Sequence, residues 1–323
     1  MSEAGDYEPG DWKGHDFASA RQDYDRYAKR SYADAQNSKK DATKLVPQSM
    51  NTNSSAPLVI ACDVTGSMGE WPATIFSKLP YLDLEGKQYL GPDMEISFAA
   101  IGDAYSDQYP LQVRPFTSGT DLATHLKELV IEGNGGGQAR ESYDLPALYF
   151  SRQVEMPGAI NKPIFIYIGD EGIYDFVDKD QAKKWANTTL EGRLSSRQVM
   201  EELKDKFSVY IVRKNFGSGS GDSRNDADQA IQRQWETYLG ADHVAILPKA
   251  DRVVDVIFGI LAQETGRIDY FRDEIKGRQR PDQVTEALKS LKSIHTGLPG
   301  APLLPSGKSV MRLPGGNKTK PIL

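Results

Sequence analysis

The stretch that decides the fold is an apolar run that ends at one acid and is followed by two hydroxyls and two glycines: Leu58-Val59-Ile60-Ala61-Cys62-Asp63-Val64-Thr65-Gly66-Ser67-Met68-Gly69. An uninterrupted apolar run is typical of a parallel strand that is covered on both faces. Ligands of open α/β sheets bind beyond the carboxyl ends of such strands, and oxygen donors favour Mg²⁺, Mn²⁺ or Ca²⁺. The stretch therefore predicts a buried strand that carries a cation site at its carboxyl end.

Length and composition limit the class of protein. The 323 residues are 39% hydrophobic, which is enough for one substantial core, and the net charge is -6. A negative chain has no general attraction to nucleic acid or anionic membrane, so we expect neither as a partner. The N-terminus has no secretory signal pattern, no apolar run approaches a membrane span, and the single Cys62 cannot form an internal disulfide. We expect a soluble cytoplasmic protein.

Composition also divides the chain into four segments. Residues 1–56 are polar and end in a linker-like stretch, so they are predicted to form an N-terminal arm. Residues 57–265 carry alternating strand and helix patterns and form the predicted main domain. Residues 266–295 are predicted to form a helical extension, and residues 296–323 form a basic tail rich in proline and glycine.

The main domain is predicted to be a three-layer, Rossmann-like α/β fold with helices on both faces of a mostly parallel sheet. Two strands close in sequence predict one antiparallel edge strand, and Pro115 suits an edge. The predicted strands cover residues 57–63, 94–101, 111–116, 163–170, 207–212 and 243–247. The predicted helices cover residues 69–80, 120–131, 141–154 and 181–206, and a further long helix is expected to be capped by Asp251.

A second acid repeats the pattern of Asp63. The apolar run 164–169 ends at Asp170, so two strands deliver a carboxylate to the same edge of the sheet. Asp103 should emerge at that edge too if its strand is parallel to the first. It is then a candidate for the metal shell or its immediate surroundings, and otherwise it is a turn residue. Glu171 is expected to cap a helix or to face solvent.

These residues resemble the von Willebrand factor type A (vWA) domain family. Asp63-Val64-Thr65-Gly66-Ser67 matches the D-x-S/T-G-S signature of that family, whose metal-ion-dependent adhesion site (MIDAS) also uses a glycine-rich loop and an acid after the fourth strand. Here that loop is residues 133–138 and that acid is Asp170. The order of elements resembles the family over residues 57–265. The resemblance implies a Mg²⁺ site, or one for Mn²⁺ or Ca²⁺, with Thr65 and Ser67 as direct ligands.

One departure from the family concerns the glycine-rich loop of the site. Family members usually place a threonine after the glycines, whereas this chain has Gln138. Gln138 could supply a carbonyl oxygen, and Glu141 is a second candidate ligand. A glutamate ligand would partly neutralise the ion, which would weaken its attraction for an outside carboxylate and favour Ca²⁺ or a structural role.

The resemblance implies a non-catalytic module in which the ion captures an acidic residue of a partner protein. Intracellular bacterial relatives work beside AAA+ ATPases, so such an ATPase or a particle subunit is the expected partner. One alternative is a structural component of a phage, secretion or conflict-system particle, laced together by the polar termini. A second alternative is a metal-assisted hydrolase with Ser67 as nucleophile, but no histidine lies near the predicted loops in sequence, and no lysine follows the glycines as in a P-loop. The oligomeric state is left open.

Overall fold

The computed structural model describes residues 39–69, 71–133, 139–217, 225–247 and 249–296. Its centre is a six-stranded sheet in which each strand follows an apolar run of the sequence. In chain order the strands are β1 (Ala56–Asp63), β2 (Met94–Ile101), β3 (Leu111–Val113), β4 (Ile164–Gly169), β5 (Ser208–Arg213) and β6 (Val244–Ile246).

The spatial order of the sheet is β6-β5-β4-β1-β2-β3. Every neighbouring pair is parallel except β2 and β3, which form the antiparallel edge. The register aligns Leu58 with both Ile164 and Ile96, so β1 lies in the middle of the sheet. The mostly parallel sheet with one antiparallel edge strand is therefore confirmed.

Helices cover both faces of the sheet. They are α1 (Trp71–Lys78), α2 (Leu82–Leu90), α3 (Asp121–Glu128), α4 (Asp144–Arg152), α5 (Lys179–Trp185), α6 (Ser196–Lys206), α7 (Asp226–Leu239), α8 (Val253–Glu264), α9 (Ile268–Arg278) and α10 (Pro281–Ser290). Residues of α1, α2, α3, α8, α9 and α10 pack into one core, whereas those of α4 to α7 pack into a second core. Two cores on opposite faces of one sheet make a three-layer α/β architecture.

The two cores explain why β1 is apolar at every position before Asp63 rather than at alternate ones. Successive side chains of a strand point to opposite faces. Leu58 and Ile60 accordingly belong to the first core, and Val59 and Ala61 belong to the second. All four are at most 1% exposed.

The segments outside residues 57–265 also contact the cores. Met50–Asn51 pairs in parallel with Val154–Glu155, and Met50 is buried. On the other side, Leu291 follows α10 and packs so closely on Gly259 of α8 that a Cβ there would lie 2.1 Å from its Cδ1. No helix among the residues described is long and apolar enough to cross a membrane.

The structure corrects several predicted helices. Residues 181–206 do not form one helix, because α5 ends at Trp185, and α6 begins after Ser195, which forms a capping box with Gln198. Asp251 is not the cap of α8: the helix begins at Val253, and the Asp251 carboxylate pairs with Arg252. The sequence analysis did not predict α2 and α7.

Candidate metal site

The candidate site lies where β1 and β4 run side by side. After β1 the chain continues to β2 on one side of it, whereas β4 lies on the other side, so the strand order switches direction between them. Crevices beyond the carboxyl ends of strands form at such switch points. Asp63 is the last residue of β1, and Asp170 directly follows β4. The topology therefore brings the two predicted acids to one crevice.

The loop after β1 folds back onto its own acid. Asp63 Oδ1 accepts hydrogen bonds from the Thr65 backbone N–H at 2.8 Å and from the Thr65 hydroxyl at 2.6 Å. A 3₁₀ turn over Gly66–Met68 follows, and it ends at Gly69, whose φ of 59° suits a residue without a side chain. The turn holds the Thr65 and Ser67 hydroxyls at the mouth of the crevice.

A continuous row of oxygen atoms links the two strand ends. Thr65 Oγ1 lies 3.3 Å from Ser67 Oγ, and Ser67 Oγ donates a hydrogen bond to Asp170 Oδ1 at 2.7 Å. Asp63, Thr65 and Asp170 are buried, and Ser67 is half-buried. The structure thus brings together four of the residues that the sequence analysis named as metal ligands.

Tyr143, at the start of α4, supports the second oxygen of Asp63. Its hydroxyl donates to Asp63 Oδ2 at 2.7 Å, and its ring packs edge-on against Tyr167 and Trp235. The hydroxyl occupies the space beside Gly169, where a Cβ would lie 1.9 Å from it. A side chain at position 169 would therefore displace Tyr143, which fixes the Asp63 carboxylate.

Lys214 is the basic residue that reaches this row of oxygens. Its ammonium group donates to Asp170 Oδ2 at 3.0 Å and to the Ser67 backbone carbonyl. The side chain is 19% exposed. Lys214 directly follows β5, so it is the third strand-end residue that enters the crevice.

Two glutamates add further acid to the crevice. Arg140–Glu141 pairs with Gly172–Ile173, and this contact buries Glu141 and leaves Glu171 only 5% exposed. The expectation that Glu171 caps a helix or faces solvent was wrong. Glu141 Oε2 has no hydrogen-bond partner among the described residues.

The crowding of acids changes their pKa values. Burial, and then the charge of Asp170, raise the pKa of Asp63 to about 8. Burial and the nearby Asp63 raise the pKa of Glu141 far above its usual range, and burial also raises the pKa of Glu171. The crevice therefore holds more negative charge than Lys214 balances, and it favours either bound protons or a cation.

The other two predicted ligands lie differently. Asp103 is fully buried, and its carboxylate accepts hydrogen bonds from the Tyr105 N–H, the Ser106 hydroxyl and the Tyr174 hydroxyl, as expected for a turn residue. It does raise the pKa of Glu141, though less than Asp63 does. Gln138 and most of the predicted glycine-rich loop lie outside the described residues.

Carboxylates alone do not complete a metal site here. Within the part of the chain that the structure describes, no three His, Cys, Asp or Glu side chains come close enough together to hold a metal ion. The donors that converge are two carboxylates and two hydroxyls. Such a mixed set of oxygen donors fits a hard divalent cation rather than Zn²⁺ or a softer metal.

Sequence reasoning missed three residues of this crevice. Lys214 could have been found by applying the strand-end rule to β5 as well as to β1 and β4. Glu171 follows Asp170 directly, so proximity was the available signal. Tyr143 had no signal, because an aromatic residue at the start of a helix is most often ordinary core packing.

The fold and the crevice define a mixed α/β protein with an acid-rich site at the carboxyl ends of its central strands. No protein-family model matches the chain, and no curated protein matches it. Among solved structures it is similar to the pilus adhesin SpaC from Lactobacillus rhamnosus GG in its open conformation, at 11% sequence identity and a TM-score of 0.44. A second form of that adhesin gives the same values. The match covers 73% of this chain, which spans 31% of the adhesin chain, and carries no inference about function.

Proposed function

We propose that this chain is a non-catalytic interaction module of the vWA type, which binds a divalent cation, Mg²⁺ in the first instance, and through it an acidic residue of a partner protein. The observation that carries the proposal is the row of oxygens from Asp63 through Thr65 and Ser67 to Asp170. It is supplied by two loops at the switch point of the sheet, where ligands of this architecture bind.

The chemistry of the row supports a receptor for carboxylates. Thr65 and Ser67 offer neutral oxygens, so they would hold the ion without cancelling its charge. Asp63 and Asp170 supply the charge that attracts it. A bound ion would offer an open coordination position to an oxygen of the partner. Glu141, whose Oε2 has no ordinary donor in the described residues, is the candidate for an additional ligand.

The hydrolase alternative gains no support from the surroundings of Ser67. The Ser67 hydroxyl donates to a carboxylate, and no described histidine is its hydrogen-bond partner. His243 Nδ1 bonds the Val209 carbonyl and His295 Nε2 bonds the Gly259 carbonyl, at positions far from this edge in the fold. A serine nucleophile requires a neighbouring general base, and histidine is the commonest one.

The test compares two serine variants of the full chain by calorimetric titration with Mn²⁺. Wild type is expected to bind one ion, and Ser67→Ala is expected to lose about ten-fold or more in affinity, because a ligand or a close neighbour of one is removed. Ser151→Ala removes a hydroxyl that bonds only the Leu148 carbonyl within α4, so it is the matched control. Absence of binding to wild type, or equal binding by both variants, contradicts the proposal.

A second measurement tests the receptor chemistry with acetate as the carboxylate probe. Water bound to Mn²⁺ speeds the relaxation of bulk water protons. Acetate that enters the open position replaces that water, so relaxation should slow as acetate is added to the Mn²⁺-loaded protein. Unchanged relaxation at saturating acetate would mean that the ion is closed to outside carboxylates and has a structural role.

A further inference from the structure

Lys214 lies next to the oxygens that a cation at this site would need. Its ammonium group contacts Asp170 Oδ2 at 3.0 Å and the Ser67 carbonyl oxygen. The other oxygens of these two residues, Asp170 Oδ1 and Ser67 Oγ, belong to the row that joins the two loops. An ammonium group and a divalent ion that bind the same partly buried carboxylate lie close together and repel each other strongly. The two cations therefore compete for the same place.

The backbone of Lys214 is fixed, so only its side chain is able to move. The Lys214 N–H donates to the Gly169 carbonyl at 3.0 Å, which ties the residue to the end of β4. The preceding Arg213 is held by a buried ion pair with Asp228. The lysine side chain is a flexible four-carbon chain, so the ammonium group can leave Asp170 without any change in the sheet.

The structure also offers the displaced ammonium group an alternative contact. Its nitrogen lies 5.7 Å from the centroid of the Trp71 ring, at the start of α1. A cation over an aromatic face is weakly attracted to it, far less than to a carboxylate. The Lys214 ammonium group thus has a strong contact with Asp170 and a weak one with Trp71 in the same position, so the Trp71 ring is close at hand when the ammonium group leaves the carboxylate.

We infer that Lys214 is a tethered cation that partly neutralises the crevice when no metal is bound. A divalent ion must displace it, so Lys214 sets the metal affinity of the site. This inference rests on the proposed metal binding. It predicts that the wild-type site fills only at higher metal concentrations than its oxygen ligands alone would need. Occupancy, and with it capture of an acidic partner, then responds to changes in free metal.

The experiment compares wild type, Lys214→Met and Lys204→Met. The last is a control that loses an ion pair with Glu201 and a hydrogen bond to the Tyr238 carbonyl, away from the crevice. Lys214→Met should bind Mn²⁺ about ten-fold more tightly than wild type, because no tethered cation competes. Its melting temperature without metal should fall, since the acids lose their counter-ion, and added Mg²⁺ should raise it more than it raises that of wild type. Lys204→Met should match wild type in Mn²⁺ affinity and in the rise of its melting temperature on adding Mg²⁺.

The outcomes separate this inference from the proposed function. If wild type binds Mn²⁺ and Lys214→Met binds it equally or more weakly, the competition is refuted and the metal site stands. If neither protein binds Mn²⁺, the proposed function itself fails.

Wild type gives an independent readout by NMR of ¹⁵N-labelled lysine ammonium groups, with Lys214→Arg used for assignment. The Lys214 signal should shift when Mg²⁺ saturates the site, and a signal that stays unchanged contradicts displacement.

Discussion

Arg213 and Lys214 are neighbours at the end of β5, yet the carboxylates that they contact lie in very different surroundings. Arg213 Nη2 meets Asp228 Oδ1 at 2.7 Å, and both side chains are at most 1% exposed. The Gln232 side chain accepts a further hydrogen bond from Arg213, and the Phe216 N–H donates to Asp228. One cation faces one carboxylate in this pair, and Arg213 Nη2 also donates to the backbone carbonyl of Asp170 at 3.3 Å.

Lys214 faces a group of acids instead. Its ammonium group pairs with Asp170, but Asp63, Glu141 and Glu171 lie in the same crevice, and burial raises the pKa of each of these three carboxyls. A buried charge without a partner lowers the stability of the folded protein. A balanced pair lowers that stability only when one of its partners is removed. The balanced pair therefore belongs to the framework, and the unbalanced group belongs to a site that needs a cation. Removal of an acid from the balanced pair and removal of one from the unbalanced group should change stability in opposite directions.

The largest expected effect comes from breaking the balanced pair. Asp228→Ala leaves Arg213 buried without its anion, and it should lower the free energy of unfolding by about 3–5 kcal/mol in urea denaturation. Glu201→Ala, which removes a surface partner of Lys204, should cost less than about 1 kcal/mol. A similar loss in both variants would remove the distinction between the framework pair and an ordinary surface pair.

The second effect is smaller and opposite in sign. Asp63→Asn keeps an oxygen that accepts from the Thr65 N–H but carries no charge to bury. At pH 8 and without metal it should raise the free energy of unfolding by on the order of 2 kcal/mol, and it should abolish Mn²⁺ binding. Urea denaturation and calorimetric titration measure the two outcomes. A less stable variant would show that Asp63 is part of the framework, as Asp228 is.

The third effect is the pH dependence of the metal-free protein. The pKa of Asp63 rises from 3.8 to about 8 on folding, so between these values the folded chain holds a proton that the unfolded chain has lost. Stability should therefore fall as pH rises through this window, by at most about 1.4 kcal/mol per pH unit for this group. Urea denaturation at pH 5, 6.5 and 8 checks the slope. Asp63→Asn should flatten it, and so should saturating Mg²⁺, because the ion replaces the proton. A slope that neither change reduces would have another origin.

The sequence predicted the part of the site that continuous strands carry. The apolar runs before Asp63 and Asp170 mark central strands, and the parallel arrangement places their ends at one edge, so both acids were found together. Lys214 escaped because the predicted strand ended at residue 212, one residue short of β5. An error of this size at a strand end is enough to hide a site residue.

The short elements could not be predicted, because they have no repeating pattern. Arg140–Glu141 pairs with Gly172–Ile173 over two residues only, and this contact buries Glu171 against the expectation. The division of residues 181–206 between α5 and α6 depends on the pairing of Phe176–Val177 with Leu194–Ser195, a tertiary contact. Helical periodicity continued across that division and concealed it.

The close approach of Tyr143 and Gly169 has a consequence for how this site can change through evolution. The tyrosine hydroxyl stands where a side chain at position 169 would begin, so the two positions share one space. A larger residue at position 169 can be accommodated only after Tyr143 has been replaced by a smaller residue. That replacement removes the hydroxyl that donates to Asp63. Related chains that keep the site should therefore keep both residues together, and those that have lost it should vary at both positions.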